Sequence, residues 1–586
     1  REHIALKLPD YMIPSYFVQL EKLPLTANGK IDRRKLPEPD KNVTGEKEYT
    51  APANDVEEKL ADIWSEMLGL EKISVTDNFF ELGGHSLKAT VLVSKIHKKF
   101  NVEVPLKEIF RRKTIRELSV FMESTDQRVY FEILPVKEND YYEVSSAQKR
   151  MYILNQITGD DTSYNMPAVM VIEGELNKER FSKAFKALLE RHETLKTSFA
   201  FIDGRPVQKI HKNVDAEVII VQAGEDAVEG IIKKFIRPFD LSSAPLVRVK
   251  LIAIAEDRHI MLFDMHHIIS DGVSEVILVE DLTNLYKGKE LHPLRIQYKD
   301  FAAWQNELLK TEAIKKQEEY WLSTLNGEIP VLNMPLEYPR TEVRSFEGDC
   351  IDFSVDKELA KDLNKLASET GSTLYMVLLA AYNVLLSKYT GQEDIIVGSP
   401  IAGRRHADLE NIIGMFVNTL ALRNFPKTSK TFREFLSEVK DNALKVYENQ
   451  DYPFEELVEK LNVARDVSRN PVFDTMFVLQ NTDDKELEIE GLRLIPYEFK
   501  NRIAKLDLTL QATEDQAGIA FNLEYCTKLF REESVEVLSK NYIKLLRDIV
   551  RNIDIELGEL ELESKYQPYK KMFTKEDFTQ KMQFDF

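Results

Sequence analysis

The sequence predicts a multidomain protein in which a small helical bundle precedes a two-part α/β region. The length of 586 residues implies roughly four domains at the usual domain size, so a single compact core is excluded. Apolar residues recur at helical spacing from Asn54 onward. Beyond residue 127, strand-like and helix-like runs alternate for roughly 400 residues, which is typical of α/β architecture.

Composition and charge exclude several classes of function. Hydrophobic residues make up 43% of the chain and aromatic residues 10%, which excludes a largely disordered protein. The 98 acidic and 79 basic residues give a net charge of −19, so neither nucleic acid nor a membrane surface is expected as a partner. The two cysteines, Cys350 and Cys526, form no disulfide framework and no zinc-binding spacing, so we expect a cytoplasmic protein without a metal site.

The first segment, residues 1–44, is rich in proline and turn signals and is too short for a complete domain. It begins with Arg1 rather than Met, and no signal peptide follows. We therefore interpret the chain as a piece excised from a longer protein.

The next segment, residues 45–124, predicts a helical bundle. Asn54 and Glu57 resemble a capping box at the start of the first helix. A second amphipathic helix follows Gly83 and Gly84, and a third is predicted over residues 114–122. The apolar positions of the first helix are Val56, Leu60, Ile63, Trp64 and Met67. A polar linker is predicted over residues 125–139.

The α/β region is divided by a Pro- and Gly-rich break near residues 325–340. We expect one lobe over residues 140–325 and another over residues 326–564, and we assign no role to the tail, residues 565–586. The longest strongly apolar run, residues 374–382, is too short to cross a bilayer and predicts a buried helix.

The first candidate site is Ser86, which directly follows a glycine-rich turn at the start of a predicted helix. Free backbone N–H groups and the helix dipole favour a phosphate at such a position. The alternative is that Ser86 is only the helix N-cap, since serine is a preferred capping residue.

The string over residues 77–87 resembles the attachment motif of acyl and peptidyl carrier proteins. That resemblance implies a four-helix bundle with 4′-phosphopantetheine on Ser86, added by a separate phosphopantetheinyl transferase, and an aminoacyl or peptidyl thioester on its thiol. In that family, a histidine before the serine is associated with carriers that supply condensation domains, and an aspartate with carriers that supply epimerisation domains. His85 therefore indicates condensation.

The second candidate site lies where a predicted strand ends and a helix begins, and it contains His266, His267, Asp271 and Gly272. Neighbouring side chains on a strand face opposite ways, so at most one of the two histidines lines a given cavity. A His-His-x-x-x-Asp-Gly string is expected by chance only roughly once in a thousand chains of this size.

This motif resembles the condensation domains of nonribosomal peptide synthetases, which share a two-lobed α/β fold with chloramphenicol acetyltransferase. The resemblance implies that His267 faces the reaction tunnel and that His266 and Asp271 support it. It also implies a buried ion pair between Asp271 and an arginine, for which Arg191 is our candidate. Further segments that match the family in order are residues 145–152, 191–199, 298–304, 413–419, 450–455 and 465–471. Lys196 departs from the arginine that is commoner at its position.

The chemistry expected at this site is amide formation. A neutral imidazole with a pKa near 6.5 can accept a proton from an amine that attacks a thioester, or His267 can act only by positioning that amine. The backbone N–H of Gly272 is a candidate donor to the developing oxyanion.

The first segment also resembles the last motifs of adenylation domains, in which the lysine that matches Lys30 contacts the carboxylate and the nucleotide. The bulk of such a domain is absent, so we expect no amino-acid activation by this chain. The expected partners are an upstream adenylation domain, a downstream acceptor carrier and the transferase, with the chain itself a monomer. The alternatives are an epimerisation domain, a heterocyclisation domain and a non-catalytic docking module.

Overall fold

The structure is a computed structural model that describes residues 49–125, 130, 132–159, 161–461, 463, 466–480, 488–489, 491–497 and 502–563. The described residues divide into two compact units, one within residues 1–130 and one within residues 131–586. The first segment with Lys30 and the tail over residues 565–586 lie outside the described residues.

The described residues of the first unit form four helices, as the carrier resemblance implies: α1 Asp55–Leu68, α2 Ser86–Phe100, α3 Leu106–Arg111 and α4 Ile115–Glu123. The side chain of Asn54 caps α1 by accepting a hydrogen bond from the N–H of Glu57. The apolar stripes of these helices meet in a small core around Trp64 and Phe79, whose rings pack edge to face.

The second unit contains fifteen strands among its described residues, arranged in two six-stranded sheets and one three-stranded sheet. The strands are β1 Tyr142–Glu143, β2 Asn165–Glu173, β3 Thr197–Ile202, β4 Arg205–Ile210, β5 Ile219–Gln222, β6 Val247–Ala253, β7 Arg258–His266, β8 Gly348–Asp356, β9 Ile395–Ile401, β10 Asn418–Asn424, β11 Thr475–Gln480, β12 Glu488–Ile489, β13 Leu492–Pro496, β14 Leu508–Glu514 and β15 Gly518–Cys526.

The helices of the second unit cover these sheets, as expected for an α/β fold. They are α5 Ser146–Thr158, α6 Lys178–Arg191, α7 Val228–Phe235, α8 Gly272–Tyr286, α9 Tyr298–Leu308, α10 Glu312–Thr324, α11 Lys357–Thr370, α12 Leu374–Thr390, α13 Phe432–Glu448, α14 Phe454–Leu461 and α15 Glu532–Arg551.

The two six-stranded sheets divide the unit into two lobes. The order in the first lobe is β12-β13-β2-β7-β6-β5, and in the second it is β10-β9-β11-β14-β15-β8. Strand β13 comes from the second half of the sequence but belongs to the sheet of the first lobe. It pairs antiparallel with β2, with Leu494 opposite Ile172. The second half of the sequence therefore completes the sheet of the first.

Helix α12 is the buried helix that the apolar run predicts, and every residue from Leu374 to Leu386 is buried. Within the described ranges, no single helix is long and apolar enough to cross a membrane. Helices α11 and α12 together reach the length and apolar composition of a membrane span, but the pair is bent by 103° at the break between the two helices.

Candidate functional site

The two histidines lie at the end of β7, an inner strand of the six-stranded sheet of the first lobe. His266 is the last residue of β7, opposite Asn165 of β2, and its side chain is buried between the rings of Tyr164 and Phe239. His267 begins the short 3-10 turn His267–Ile269 and is partly exposed. Because the strand ends between them, the two rings lie in different environments.

Hydrogen bonds assign opposite tautomers to the two rings. His267 Nδ1 lies 2.7 Å from the carbonyl oxygen of Ser270, which can only accept, so Nδ1 carries the proton and Nε2 has a free lone pair. His266 Nδ1 accepts a hydrogen bond from the N–H of Ile268 at 3.1 Å, so its proton is on Nε2. Only His267 therefore has an Nε2 that can accept a hydrogen bond from a substrate.

Both imidazoles are neutral at pH 7 and are weaker bases than free histidine. Burial lowers the pKa of His267 to about 4, with a further decrease from the ammonium group of Lys505. The hydrogen bond to Ser270 and the charge of Asp271 oppose this shift in pKa. Burial also lowers the pKa of His266 to about 3, followed by the effects of His267 and Lys505. The expected pKa near 6.5 is therefore wrong for His267.

Asp271 joins the start of α8 to a loop from the second half of the sequence. It is completely buried and is the N-cap of α8, where its Oδ1 accepts from the N–H of Ser274 at 2.8 Å and from the hydroxyl of Ser274 at 2.7 Å. Its Oδ2 accepts from the N–H of Phe416 at 3.0 Å. The carboxylate therefore fixes the position of the turn that carries His267.

The ion-pair partner of Asp271 is Arg404, and our candidate Arg191 is wrong. Arg404 Nη2 lies 3.1 Å from Asp271 Oδ1, and both side chains are buried. Arg191 Nε instead lies 2.7 Å from Asp281 Oδ2. Arg191 is the last residue of α6 and lies beside Asp281, in the later part of α8. Asp281 follows Asp271 by ten residues, about 15 Å along a helix, so Arg191 is too far from Asp271 to pair with it.

Arg404 binds more than one partner, which explains its burial. It donates to the carbonyl oxygens of Leu409 at 2.8 Å and Ile412 at 2.6 Å, and to the hydroxyl of Ser274 at 2.8 Å. Its guanidinium also lies 4.0 Å from the ring centroid of Phe416. Sequence reasoning missed Arg404 because 133 residues separate it from Asp271 and no local pattern links them.

Gly272 presents an open backbone position at the first turn of α8. The residue is exposed, and a Cβ added there would meet no atom within 4 Å. Of the residues that the structure describes, none accepts a hydrogen bond from its N–H, which is one of the unsatisfied donors at a helix N-terminus. Gly272 therefore offers both free space and a hydrogen-bond donor for a negatively charged group.

Lys505 is a second functional candidate that sequence reasoning missed. It precedes β14, and its Nζ lies 5.2 Å from the ring centroid of Tyr164. Burial lowers the pKa of its ammonium group, and Glu524 opposes that decrease. Its charge lowers the pKa of both histidines, so the second half of the sequence places a desolvated cation at this site.

In the first unit, Ser86 is the first residue of α2, and the N-cap is His85, whose Nδ1 accepts from the N–H of Lys88 at 3.4 Å. The alternative that Ser86 is only the N-cap is therefore wrong. Gly83 has a φ of +94°, and a Cβ at Gly84 would lie 2.4 Å from the ring of Phe79, so both positions require glycine. An attachment residue at a helix N-terminus behind a glycine turn fits a phosphodiester.

Comparisons with known proteins assign each part of the chain to a family. The condensation domain family model matches residues 138–569, and the phosphopantetheine attachment site model matches residues 58–121. Gramicidin S synthase 2 of Brevibacillus brevis is 54% identical over 566 residues, which are 96% of this chain and 13% of that protein. Tyrocidine synthase 3 of Brevibacillus parabrevis is 54% identical over 562 residues, which are 96% of this chain and 9% of that protein. The chain thus spans a small part of these relatives.

Two solved structures share the fold of the second unit. The X-domain from teicoplanin biosynthesis has a TM-score of 0.69 and 22% identity, over 74% of this chain and 100% of that chain. A four-domain nonribosomal peptide synthetase bound to AMP and glycine has a TM-score of 0.68 and 22% identity, over 73% of this chain and 34% of that chain. At this identity the likeness shows a common two-lobed fold.

Proposed function

We propose that this chain, which belongs to the condensation domain family, joins two carrier-bound acyl groups through an amide bond. The observation that carries this proposal is the free Nε2 lone pair of His267, fixed by the hydrogen bond between its Nδ1 and Ser270. The phosphopantetheine attachment domain of the same chain supports a role in peptide synthesis on carriers. Epimerisation, heterocyclisation and simple docking are not favoured by any of these features.

Ser86 is the proposed attachment residue for 4′-phosphopantetheine. The group, when bound, supplies a thiol that holds the donor as a thioester. Gly83 and Gly84 keep the chain in front of α2 in the conformation that places Ser86 at the helix start. The positive end of the α2 dipole stabilises the phosphodiester charge at that position.

His267 is the proposed contact for the attacking amine. Nε2 accepts a hydrogen bond from the N–H of the acceptor, which directs the nitrogen lone pair toward the donor carbonyl. A C–N bond forms, the C–S bond of the donor breaks, and the proton of the amine passes to the sulfur. Because the pKa of His267 is about 4, the imidazole orients the amine and relays its proton without remaining protonated.

Negative charge on the carbonyl oxygen is stabilised by groups at the start of α8. The N–H of Gly272 is the proposed hydrogen-bond donor, and the dipole of α8 adds to its effect. The ammonium group of Lys505 contributes a positive charge from the other half of the sequence. His266 and Asp271 are positioning residues, since both are buried and hold the turn between β7 and α8.

The proposed partners are an upstream adenylation domain, a downstream acceptor carrier and a phosphopantetheinyl transferase, with the chain acting as a monomer in the cytoplasm. Two features support this placement. The chain has two cysteines, Cys350 and Cys526, too few for the disulfide framework that is common in secreted domains. The net charge of −19 also suits tethered acyl groups, which need no basic surface.

The experiment is a single-turnover assay with an aminoacyl group on Ser86 and a second aminoacyl group on a separate acceptor carrier. The wild-type chain should form the amide, and His267→Ala should lose most of the rate, typically 10²–10⁴-fold for a proton-transfer group. His292→Ala is the matched control, because His292 is exposed and lies outside the site. Equal rates for wild type and His267→Ala would refute the assigned role.

A further inference from the structure

A largely apolar cavity of about 130 Å³ lies in the first lobe, between α8 and the sheet whose strand β7 ends at His266. The lining comes from β2, β7 and β13 on one side and from α8 and α6 with its preceding loop on the other. The lining includes Met170, Phe263, Met265, Glu275, Leu278 and Tyr286. None of these is used by the proposed reaction.

The cavity is elongated, and one of its ends lies beside the reactive turn. Along α8, the lining begins at Glu275, four residues after Asp271, and ends at Tyr286, a distance of about 16 Å. Along β7, it ends at Met265, directly before His266. The lining residues of β7 recur at every second position, so they share one face of the sheet. The cavity therefore extends away from the site along a single helix and a single sheet face.

The polar groups of the lining are not evenly distributed. Glu275 is the carboxylate of the lining and belongs to the first turns of α8, at the end of the cavity that is nearest to His267. The rest of the lining is mostly aliphatic and aromatic. Its side-chain hydroxyls are those of Thr283 and Tyr286, and the hydroxyl of Tyr286 already accepts a hydrogen bond from the N–H of Asn177 at 3.1 Å. Burial raises the pKa of Glu275 to about 7, followed by the effect of Asp271. A carboxyl at the end of the lining nearest to His267 and mostly apolar residues elsewhere suit an amphipathic guest.

We propose that this cavity receives the apolar side chain of an aminoacyl group that reacts at His267, while Glu275 accepts a hydrogen bond from an N–H of the same group. This inference rests on the proposed amide-forming function. A cavity of similar volume, about 150 Å³, is known to admit benzene, so the guest is a branched aliphatic side chain or a single aromatic ring. Protein interiors rarely leave apolar space of this size unfilled.

The test varies side-chain size on each aminoacyl group separately. Leucyl, phenylalanyl and glycyl groups are placed on Ser86 with a glycyl acceptor, and then on the acceptor carrier with a glycyl donor. Leu278→Phe adds volume to a lining position that is 3% exposed. Val276→Phe is the matched control, because Val276 lies on the same helix, is 58% exposed and does not line the cavity.

We expect Leu278→Phe to slow the leucyl and phenylalanyl reactions at least about tenfold in one of the two series, the one with varied donors or the one with varied acceptors. The glycyl reaction should be unchanged, and Val276→Phe should behave like wild type in both series. The series that responds identifies the guest as donor or acceptor. If Leu278→Phe affects all side chains equally, or none, the inference is overturned. If wild type forms no amide with any pair, the proposed function fails instead.

A binding measurement keeps the inference testable without turnover. Toluene, a probe of the inferred shape, should raise the thermal unfolding temperature of the full wild-type chain and of Val276→Phe, because a ligand that binds only the folded state stabilises it. Leu278→Phe should show no such increase. A rise that is equal in Leu278→Phe and wild type would overturn the assignment of this cavity.

Discussion

Replacing Arg404 by methionine should cost far more stability than the same change at Arg191. Asp271 is completely buried, and Arg404→Met removes its cationic partner while the long apolar stem of methionine keeps the contact with Phe416. Removing one partner of a buried ion pair typically costs about 3–5 kcal/mol in free energy of unfolding. Three hydrogen bonds to Asp271 remain, from the N–H and hydroxyl of Ser274 and from the N–H of Phe416, so we expect the lower part of that range.

The control, Arg191→Met, should cost about 1–2 kcal/mol, because Asp281 keeps a second partner in His192 Nε2 at 2.8 Å. Urea unfolding followed by tryptophan fluorescence measures both values. A Trp64→Phe background limits the signal to Trp304 and Trp321, which belong to the second unit. Adding Asp271→Asn should restore part of the stability of Arg404→Met. A cost below about 1 kcal/mol for Arg404→Met, or a larger cost for Arg191→Met, would refute the pairing.

Three further predictions concern buried polar groups near the site. The pKa of His266 is about 3 in the folded state and 6.5 in the unfolded state. The free energy of unfolding should therefore decrease as the pH falls below 6.5, by up to about 1.4 kcal/mol per pH unit. His266→Asn should make this pH dependence weaker in urea titrations. Glu275 has the opposite sign: its folded pKa of about 7 exceeds the unfolded value of 4.5, so wild type loses stability as pH rises between these values. Glu275→Gln should therefore be more stable than wild type by up to about 3 kcal/mol at pH 8 and equal to it near pH 4.5; equal stability at pH 8 would contradict this. Tyr298→Phe should lower the free energy of unfolding by about 1–3 kcal/mol, because the hydroxyl that hydrogen-bonds to Ser145 Oγ and to the carbonyl oxygen of Met415 is lost. An unchanged urea midpoint would show that these hydrogen bonds contribute nothing to stability.

Local patterns in the sequence predicted the elements that carry the site. The helix after Ser86, the strand before His266 and the buried helix over residues 374–382 each have a periodicity or a flanking signal that short-range physics produces. Helix α3 could not be predicted from such local patterns. It has six residues and begins after Pro105 without a side-chain cap, so neither periodicity nor capping marks it.

The contacts that complete the site could not be predicted from local patterns. Arg404 and Lys505 reach the histidine turn from the second half of the sequence, and only the folded arrangement of the two lobes brings them there. The choice of Arg191 as a partner for Asp271 followed a resemblance in sequence order, and it failed because α8 separates the two residues by nearly three turns.

The low pKa of His267 also depends on tertiary structure. Its largest cause is burial, and its second is the charge of Lys505, which follows His267 by more than 200 residues in the sequence. The sequence motif identifies the imidazole, whereas the packing around it decides that the ring stays neutral and weakly basic. This difference favours a positioning and relay role over that of a strong general base.

His267 is proposed to promote amide formation from a donor held at Ser86. Intact-protein mass spectrometry of a single turnover tests it most directly, with donor-loaded chain and a loaded acceptor carrier mixed and quenched over time. We predict that the donor mass leaves the wild-type chain and appears on the acceptor carrier, and that His267→Ala retains the donor over the same period. Retention by wild type, or transfer by His267→Ala at the wild-type rate, would contradict the claim.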